Sequence, residues 1–406
     1  MTWLTEATVE QKRALLAASL GWMLDSMDVM LYSMVLAHLM RDFKMTEGAA
    51  GLMASLTLAS SAVGGAIFGI LADRVGRSRA LMASILVYSV FTAACGMAGN
   101  MIQLAVYRVL LGLGMGGEWA CGAALVAETW PSRHRGKALG VMQSAWAIGY
   151  GLAAAITALL LPRFGWRAVF FAGVAPALIT FWIRGYVPEP EIWEQSRDRG
   201  GSILGGLRSL WGGEYKRHLI VTTLANAGTM FAWWGLFTWI PPYLSLPLSR
   251  GGAGLDVVKT STWIILMQVG MWLGYVSFGF ISDWIGRKRT YVTYILVAAA
   301  LVPLYGSTRD PVLLLLIGPL VGFFGTGYFS GFGAITAEIF PTAVRASAQG
   351  LTYNLGRGVS AAAPFAVGIL STGRGLGFAF LLTSVAFLSA GMVAMLIPET
   401  RGRELT

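Results

Sequence analysis

Apolar residues in this chain come in long uninterrupted runs, and polar positions gather in short clusters between them. A run of roughly 20 apolar residues suffices for a helix to cross about 30 Å of hydrocarbon. Twelve such spans are read, at about residues 13–40, 49–72, 80–97, 101–126, 138–161, 166–185, 218–240, 259–282, 290–305, 311–336, 347–370 and 376–396. The runs are continuous rather than alternating, which excludes a membrane β-barrel. The only long polar stretch, residues 186–217, holds Glu189-Pro-Glu-Ile-Trp-Glu-Gln-Ser-Arg-Asp-Arg199 and reads as a linker. The expectation is an all-α polytopic membrane protein of twelve transmembrane helices. A first six-helix half spans 1–185, a cytoplasmic linker 186–217, and a second half 218–406.

The first span breaks the apolar pattern in its middle, at Gly21-Trp-Met-Leu-Asp25-Ser-Met-Asp28-Val-Met-Leu-Tyr32. Asp25 and Asp28 are three residues apart and share one helical face. A charge at the bilayer centre costs about 3 kcal/mol on insertion scales, so an intramembrane acid pair points to ion or proton handling. The alternative is a packing pair satisfied by neighbouring helices.

Composition agrees with the pattern: 56% of residues are hydrophobic and 12% charged, against a charged share of roughly 25% in soluble domains. The net charge of +10 acquires its meaning from where the Lys and Arg residues fall. With the amino terminus in the cytoplasm, 20 lie on the cytoplasmic side, 8 outside and 2, Arg108 and Arg357, within spans. That asymmetry predicts a cell-membrane protein with both termini on the cytoplasmic side and needs no nucleic-acid partner. The polar amino terminus, with Glu6, Glu10, Lys12 and Arg13, leads into a span too long for a cleavable signal. Cys95 and Cys121 both fall within spans and support neither a disulfide nor a metal site.

An internal repeat organises the chain. Gly69-Ile-Leu-Ala-Asp73-Arg74-Val-Gly76-Arg77-Ser-Arg79 recurs 210 residues later as Gly279-Phe-Ile-Ser-Asp283-Trp-Ile-Gly286-Arg287-Lys-Arg289. At the same offset Ala127-Glu128-Thr-Trp-Pro131 matches Ala337-Glu338-Ile-Phe-Pro341, Arg135 matches Arg345, and Pro188-Glu189 matches Pro398-Glu399. Two parallel six-helix halves follow. With Arg108-Val-Leu-Leu-Gly112-Leu-Gly114-Met-Gly116-Gly117-Glu118-Trp119 and the closing Pro398-Glu-Thr-Arg-Gly-Arg-Glu404, these motifs resemble the major facilitator superfamily over nearly the whole length. Within it, Asp25-Ser-Met-Asp28 resembles the Asp-Gly-x-Asp motif of the aromatic-acid and metabolite proton symporters, including sialate and lactate carriers, with Ser26 where that motif has Gly.

The resemblance and the residues together define a candidate site. At about 1.5 Å per residue, Asp25 lies roughly 18 Å from Arg13, and Arg357 about 17 Å into its own span, so both are near the midplane, where such carriers bind substrate. Arg357 has no counterpart in the first half, where Ala147 stands 210 residues earlier. Its guanidinium suits a bidentate carboxylate clamp, or a structural partner for a buried acid. The resemblance also implies functional arginines in this helix. Arg108 and Glu118 belong to the fourth span, which in the superfamily lines the cavity beside the first; Arg108 is expected against Asp25 or Asp28, with simple packing as the alternative. Asn226, Gln268, Trp234, Tyr328, Tyr353 and Asn354 are candidate substrate contacts or core residues. Trp239 with Tyr243 reads as an interfacial belt near the outer surface. Asp73, Arg77, Glu128 and Arg135, and their copies Asp283, Arg287, Glu338 and Arg345, are expected to form charged latches at the cytoplasmic helix ends.

No Walker loop, Cys/His ligand cluster or Gly-x-Ser-x-Gly elbow occurs. The chain is therefore expected to be no enzyme, to need no metal or cofactor, and to draw on a proton gradient. The functional expectation is a monomeric proton-coupled importer of a small organic anion, a monocarboxylate such as an aromatic acid, sialic acid or lactate-like acid. An efflux antiporter of lipophilic compounds and a neutral-sugar porter are the alternatives. The fifth span lacks the Gly-Pro signature of drug antiporters, which favours uptake.

Overall fold

The computed structural model describes residues 2–190, 215–340 and 342–401. Among them every regular element is helical. After a one-turn helix at Thr2–Thr5, the first half comprises α1 (Val9–Asp42), α2 (Glu47–Val75), α3 (Arg77–Gly96), α4 (Met101–Thr129), α5 (Ser132–Phe171) and α6 (Ala177–Tyr186). The second comprises α7 (Tyr215–Phe237), α8 (Ile240–Ser245), α9 (Val257–Ile285), α10 (Arg287–Ser307), α11 (Pro311–Thr326), α12 (Phe329–Ile339), α13 (Thr342–Ser360), α14 (Ala363–Arg374) and α15 (Leu376–Ala394).

All twelve expected spans are helical, but several are broken. The seventh continues past Phe237 into α8, the tenth divides into α11 and α12, and the eleventh into α13 and α14. In the first half α5 runs beyond the fifth span to a kink at Gly165, where φ is 75°. Backbone groups in hydrocarbon have no water to bond, which confines the chain to helices with short breaks. The lipid-facing surface is apolar: Phe280 and Trp284 on α9 are 76% and 77% exposed. Polar side chains point inward instead, the reverse of a soluble bundle.

Two compact units emerge, Met1–Lys44 with Leu56–Gly200, and Met45–Ser55 with Gly201–Thr406. The first two and a half turns of α2, Glu47 to Ser55, thus belong with the second unit. Of the linker, residues 191–214 lie outside the described part, as do the side chains of Asp73 and Arg345.

The 210-residue repeat extends beyond the sequence motifs to the ends of the helices. Thr46 Oγ1 accepts from Ala49 N (3.2 Å) and its match Asp256 accepts from Lys259 N (2.9 Å). Asn100 caps α4 through Gln103 N (2.9 Å), and its match Asp310 caps α11 through Leu313 N (2.9 Å). Such caps satisfy backbone donors that the helix leaves open. Gly165 and Gly375 both have positive φ, as do Gly76 (123°) and Gly286 (111°).

Gly76 separates α2 from α3 in a conformation that L side chains rarely adopt, and a Cβ there would strike the carboxylate of Glu189. Gly69, in the same motif, has nothing within 4 Å of its Cβ position. Gly76→Ala should therefore cost about 1 kcal/mol or more, while Gly69→Ala leaves stability unchanged or slightly raised. Thermal unfolding of both purified variants in detergent checks this, and equal midpoints would remove the strain argument.

Candidate functional site

In the first unit, α1 brings both aspartates inside. The helix starts with a capping box, in which Thr8 Oγ1 accepts from Gln11 N (3.2 Å) and Gln11 Oε1 accepts from Thr8 N (3.0 Å). Its inner face packs against α5 so closely that a Cβ on Gly149 would overlap the carbonyl of Met23. Small residues permit that approach. Ser26 Oγ donates to Trp146 O (2.8 Å), and the Trp22 and Trp146 rings lie 4.6 Å apart. The serine that departs from the motif thus has a bond of its own.

With the helix so fixed, Asp25 and Asp28 are each 1% exposed, and Glu118 of α4 is fully buried. A Cβ on Gly21, one turn before Asp25, would lie 2.5 Å from Glu118 Oε1. Tyr88 of α3 donates to Gly21 O (3.4 Å) and is within electrostatic range of Asp25, Glu118 and Asp28. Asp28 has Thr92 and Gly173 against its carboxyl group. The Thr92 hydroxyl donates to Tyr88 O (2.8 Å) and is also the side-chain hydrogen-bonding neighbour of the Asp28 carboxyl group. Three buried acids therefore surround one tyrosine, yet they do not form a metal-binding group among the described residues.

Arg108 takes a different place from the one expected. Its Cζ stacks 4.1 Å over the ring of Tyr32, and it makes no ion pair with Asp25 or Asp28. The guanidinium is 1% exposed, so the aromatic face substitutes for a carboxylate by cation–π attraction. The glycines of α4 allow this depth. Gly112 and Gly116 let α2 approach on one side, and Gly114 admits the backbone of α3 on the other.

The second unit carries the opposite charge. Arg357 on α13 is 3% exposed and has no ion pair among the described residues. Asn226 of α7 ties the two helices together by donating to Thr352 O (3.0 Å), while its Oδ1 has no donor among the described residues. Gly356, next to Arg357, packs on this amide, leaving a Cβ there only 2.5 Å from Asn226 Nδ2. Gln268 on α9 is 4% exposed, with no hydrogen-bond partner for either amide atom among the described residues. Buried polar groups without partners are rare and call for an explanation.

Other candidates fall into the core or onto the surface. Tyr328 is fully buried, donates to Thr229 O (3.3 Å) and meets the ring of Tyr291 edge-on. Trp234 packs edge-on against Trp233, whose indole donates to Thr326 Oγ1 (3.1 Å). Tyr353 is half-buried and Asn354 exposed. The expected outer aromatic belt is corrected: Trp239 and Tyr243 are both fully buried. Trp239 donates to Pro364 O (2.9 Å) and Tyr243 to Thr308 O (2.5 Å), so their polar atoms clamp helix breaks rather than meet lipid headgroups.

At the motif loops, Arg77 grips Glu128 through Nη2 (2.9 Å) and Nε (3.1 Å). Its copy Arg287 contacts Asp283 (2.7 Å) and Glu338 (3.4 Å), and Thr400 Oγ1 donates to Glu338 (2.5 Å). Arg74 is exposed, and Arg135 Nε has no partner among the described residues. Glu189 and Glu399, given no role from sequence, complete these corners. Glu189 accepts from the N–H groups of Ser78 (3.1 Å) and Arg79 (3.2 Å) at the start of α3. Glu399 accepts from Arg287 N (2.8 Å) at the start of α10. Partial burial raises its pKa, but the N–H groups of Arg401, Arg287, Lys288 and Thr400 outweigh this and hold it below the usual carboxylate value. Their offset of 210 was the signal available.

Known proteins share this architecture. The family model described as Major Facilitator Superfamily matches residues 18–252, and one described as Sugar (and other) transporter matches residues 309–406. A probable 4-methylmuconolactone transporter of Cupriavidus pinatubonensis is 35% identical, over 98% of this chain and 93% of its own. The cis,cis-muconate transport protein of Acinetobacter baylyi is 32% identical, over 96% and 94%. The inward-open structure of the xylose transporter XylE from E. coli superposes with a TM-score of 0.74 at 20% identity, covering 96% of this chain and 97% of that one. With its twelve helical spans, its twofold repeat and a family match over more than half its length, the chain belongs to the Major Facilitator Superfamily and is a transporter, not an enzyme.

Proposed function

We propose that this protein imports a small organic anion, a monocarboxylate, together with protons across the cell membrane. The observation that carries the reading is Arg357, a buried guanidinium with no ion pair among the described residues. A cation held in a low-dielectric interior gains most when an anion arrives to cancel it. A carboxylate meets the planar fork bidentately. Asn226 Oδ1 and Gln268, buried with unmet hydrogen-bonding capacity, supply polar contacts for the rest of the substrate. Tyr353 and Asn354 share the helix of Arg357 and extend the contact surface, whereas Trp234 and Tyr328 support it as packing residues. The cis,cis-muconate transport protein, 32% identical, is named for a dicarboxylate anion, which supports the carboxylate clamp.

In the first unit, Asp25, Asp28 and Glu118 provide the proton site. Three negative charges in one apolar packet repel one another, so uptake of a proton by Asp25 or Asp28 relieves the cluster. Arg108, held on Tyr32, biases that field without neutralising an acid directly. Proton uptake from outside and anion capture at Arg357 leave a neutral load, which alternating access delivers inward. The latches at Arg77–Glu128 and Arg287–Glu338 open and close the cytoplasmic side. The excess of Lys and Arg in the loops assigned to the cytoplasm supports an orientation with both termini inside. A monomer suffices, and no cofactor is required.

A second reading, a neutral-sugar porter, has the match of residues 309–406 to the sugar transporter model in its favour. Proteoliposome uptake of labelled benzoate, sialic acid, lactate and glucose, with and without an inward proton gradient, separates the two. Gradient-dependent accumulation of one acid supports symport; accumulation of glucose alone transfers the protein to the sugar class. Asp28→Asn should abolish uphill accumulation while sparing exchange of substrate across the membrane. Gradient-driven uptake at the normal level in that variant would sink the coupling assignment. Arg357→Ala should weaken apparent anion affinity roughly tenfold or more, with partial recovery in Arg357→Lys, since charge survives there without the fork. An unchanged KM removes the clamp.

A further inference from the structure

The second unit contains an open cavity of about 450 Å³ away from Arg357, lined by Gly306, Ser307, Arg309, Arg374, Gly375 and Gly377. It lies where the turn between α10 and α11 meets the turn between α14 and α15. The corner stays unfilled because its walls are bare backbone: a Cβ on Gly306 would stand 2.7 Å from Gly377 O.

The repeat shows what is different here. The position matching Gly377 in the first unit is Arg167, 210 residues earlier. That guanidinium donates to Ala98 O (3.2 Å) and stacks 4.1 Å over Trp166, so the first unit occupies the place with its own cation. In the second unit the matching carbonyl, Thr308 O, is already taken by Tyr243 (2.5 Å), and Gly377 brings no side chain.

Two cations line the space instead, and neither Arg309 nor Arg374 has an ion pair or side-chain hydrogen bond among the described residues. The acids of the corner are engaged elsewhere in the same unit. Asp310 Oδ1 accepts from Val312 N and Leu313 N (both 2.9 Å), and Glu47 pairs with Arg250 (2.5 Å). Arg374 Cζ lies 4.8 Å over the ring of Phe378. Stacking fixes the plane of a guanidinium while leaving its N–H edge open, the geometry that receives a bidentate oxyanion.

We propose that this cavity is an oxyanion-binding site, in which Arg309 and Arg374 clasp a phosphate or carboxylate against the glycine wall. A volume of about 450 Å³ accommodates one small acid or one lipid headgroup. In the orientation proposed above it opens on the outer side, within reach of headgroup phosphates and of free anions. The binding itself does not depend on that orientation or on the transport reading.

The test uses full-length protein in detergent at low ionic strength, in an Arg357→Ala background that removes the proposed transport clamp. Thermal unfolding is followed while inorganic phosphate, phosphatidylglycerol or phosphatidylcholine is added. Phosphate or phosphatidylglycerol should raise the midpoint, and Arg309→Gln/Arg374→Gln should shift the half-saturating concentration upward about tenfold or more. Stabilisation by phosphatidylglycerol alone assigns the site to an anionic lipid; stabilisation by phosphate as well assigns it to a soluble oxyanion. Superimposable titrations with and without the two arginines, or no stabilisation by either anion, overturn the proposal. Both side chains are exposed, so the double variant should melt normally without anion. If it does not, each single variant should lose part of the response, and two single variants that titrate like the parent overturn the proposal equally.

Discussion

A charge inside an apolar helix packet has no water to solvate it, and that constraint governs the arrangement of this protein. Asp25, Asp28, Glu118, Arg108 and Arg357 are each at most 3% exposed. Each must be met by the protein, by a proton or by a passing ligand. Arg108 is met by the face of Tyr32. Arg357 has no ion pair among the described residues, and the proposed anion-binding role supplies one. Were every buried charge paired within its own unit, the chain would be a more stable bundle with nothing left to exchange.

Keeping those charges deep requires helices that approach closely. The glycines of α4 and the contact of Gly149 with Met23 allow backbones to meet where larger residues would separate them. The same closeness leaves Ser26 a carbonyl to bond across the helix pair. Packing and polar chemistry are thus one design: small residues bring the helices together, and the space they leave is shaped for a few polar atoms.

The spans, the repeat and the buried identities of Asp25, Asp28, Arg108, Glu118 and Arg357 were legible in the sequence, because each appears as periodicity, offset or a charge in an apolar run. What stayed hidden depends on which faces meet. Arg108 was expected on an aspartate and lies on Tyr32, four residues after Asp28, since helix rotation selects the partner and the sequence does not print rotation. Trp239 and Tyr243 look like belt residues by composition, yet the break after Phe237 turns both inward onto free carbonyls. Asn354 shares a helix with Arg357 but is exposed where Arg357 is buried. Glu189 and Glu399 were visible only as a matched pair; their work at helix starts more than a hundred residues away is a long-range contact.

The two units keep one scaffold and abandon its symmetry where chemistry is done. Caps and positive-φ glycines agree at an offset of 210 residues, whereas the interiors do not: acids occupy the first, and an unmatched arginine the second. Duplication explains the agreement, because helix ends must be satisfied in the same way in each copy. It also explains the freedom to diverge, because side chains that end neither helix nor turn can change without unfolding the copy that carries them. The proposed coupling of a proton to an anion draws on that divergence, with the buried acids carried by one copy and the buried arginine by the other.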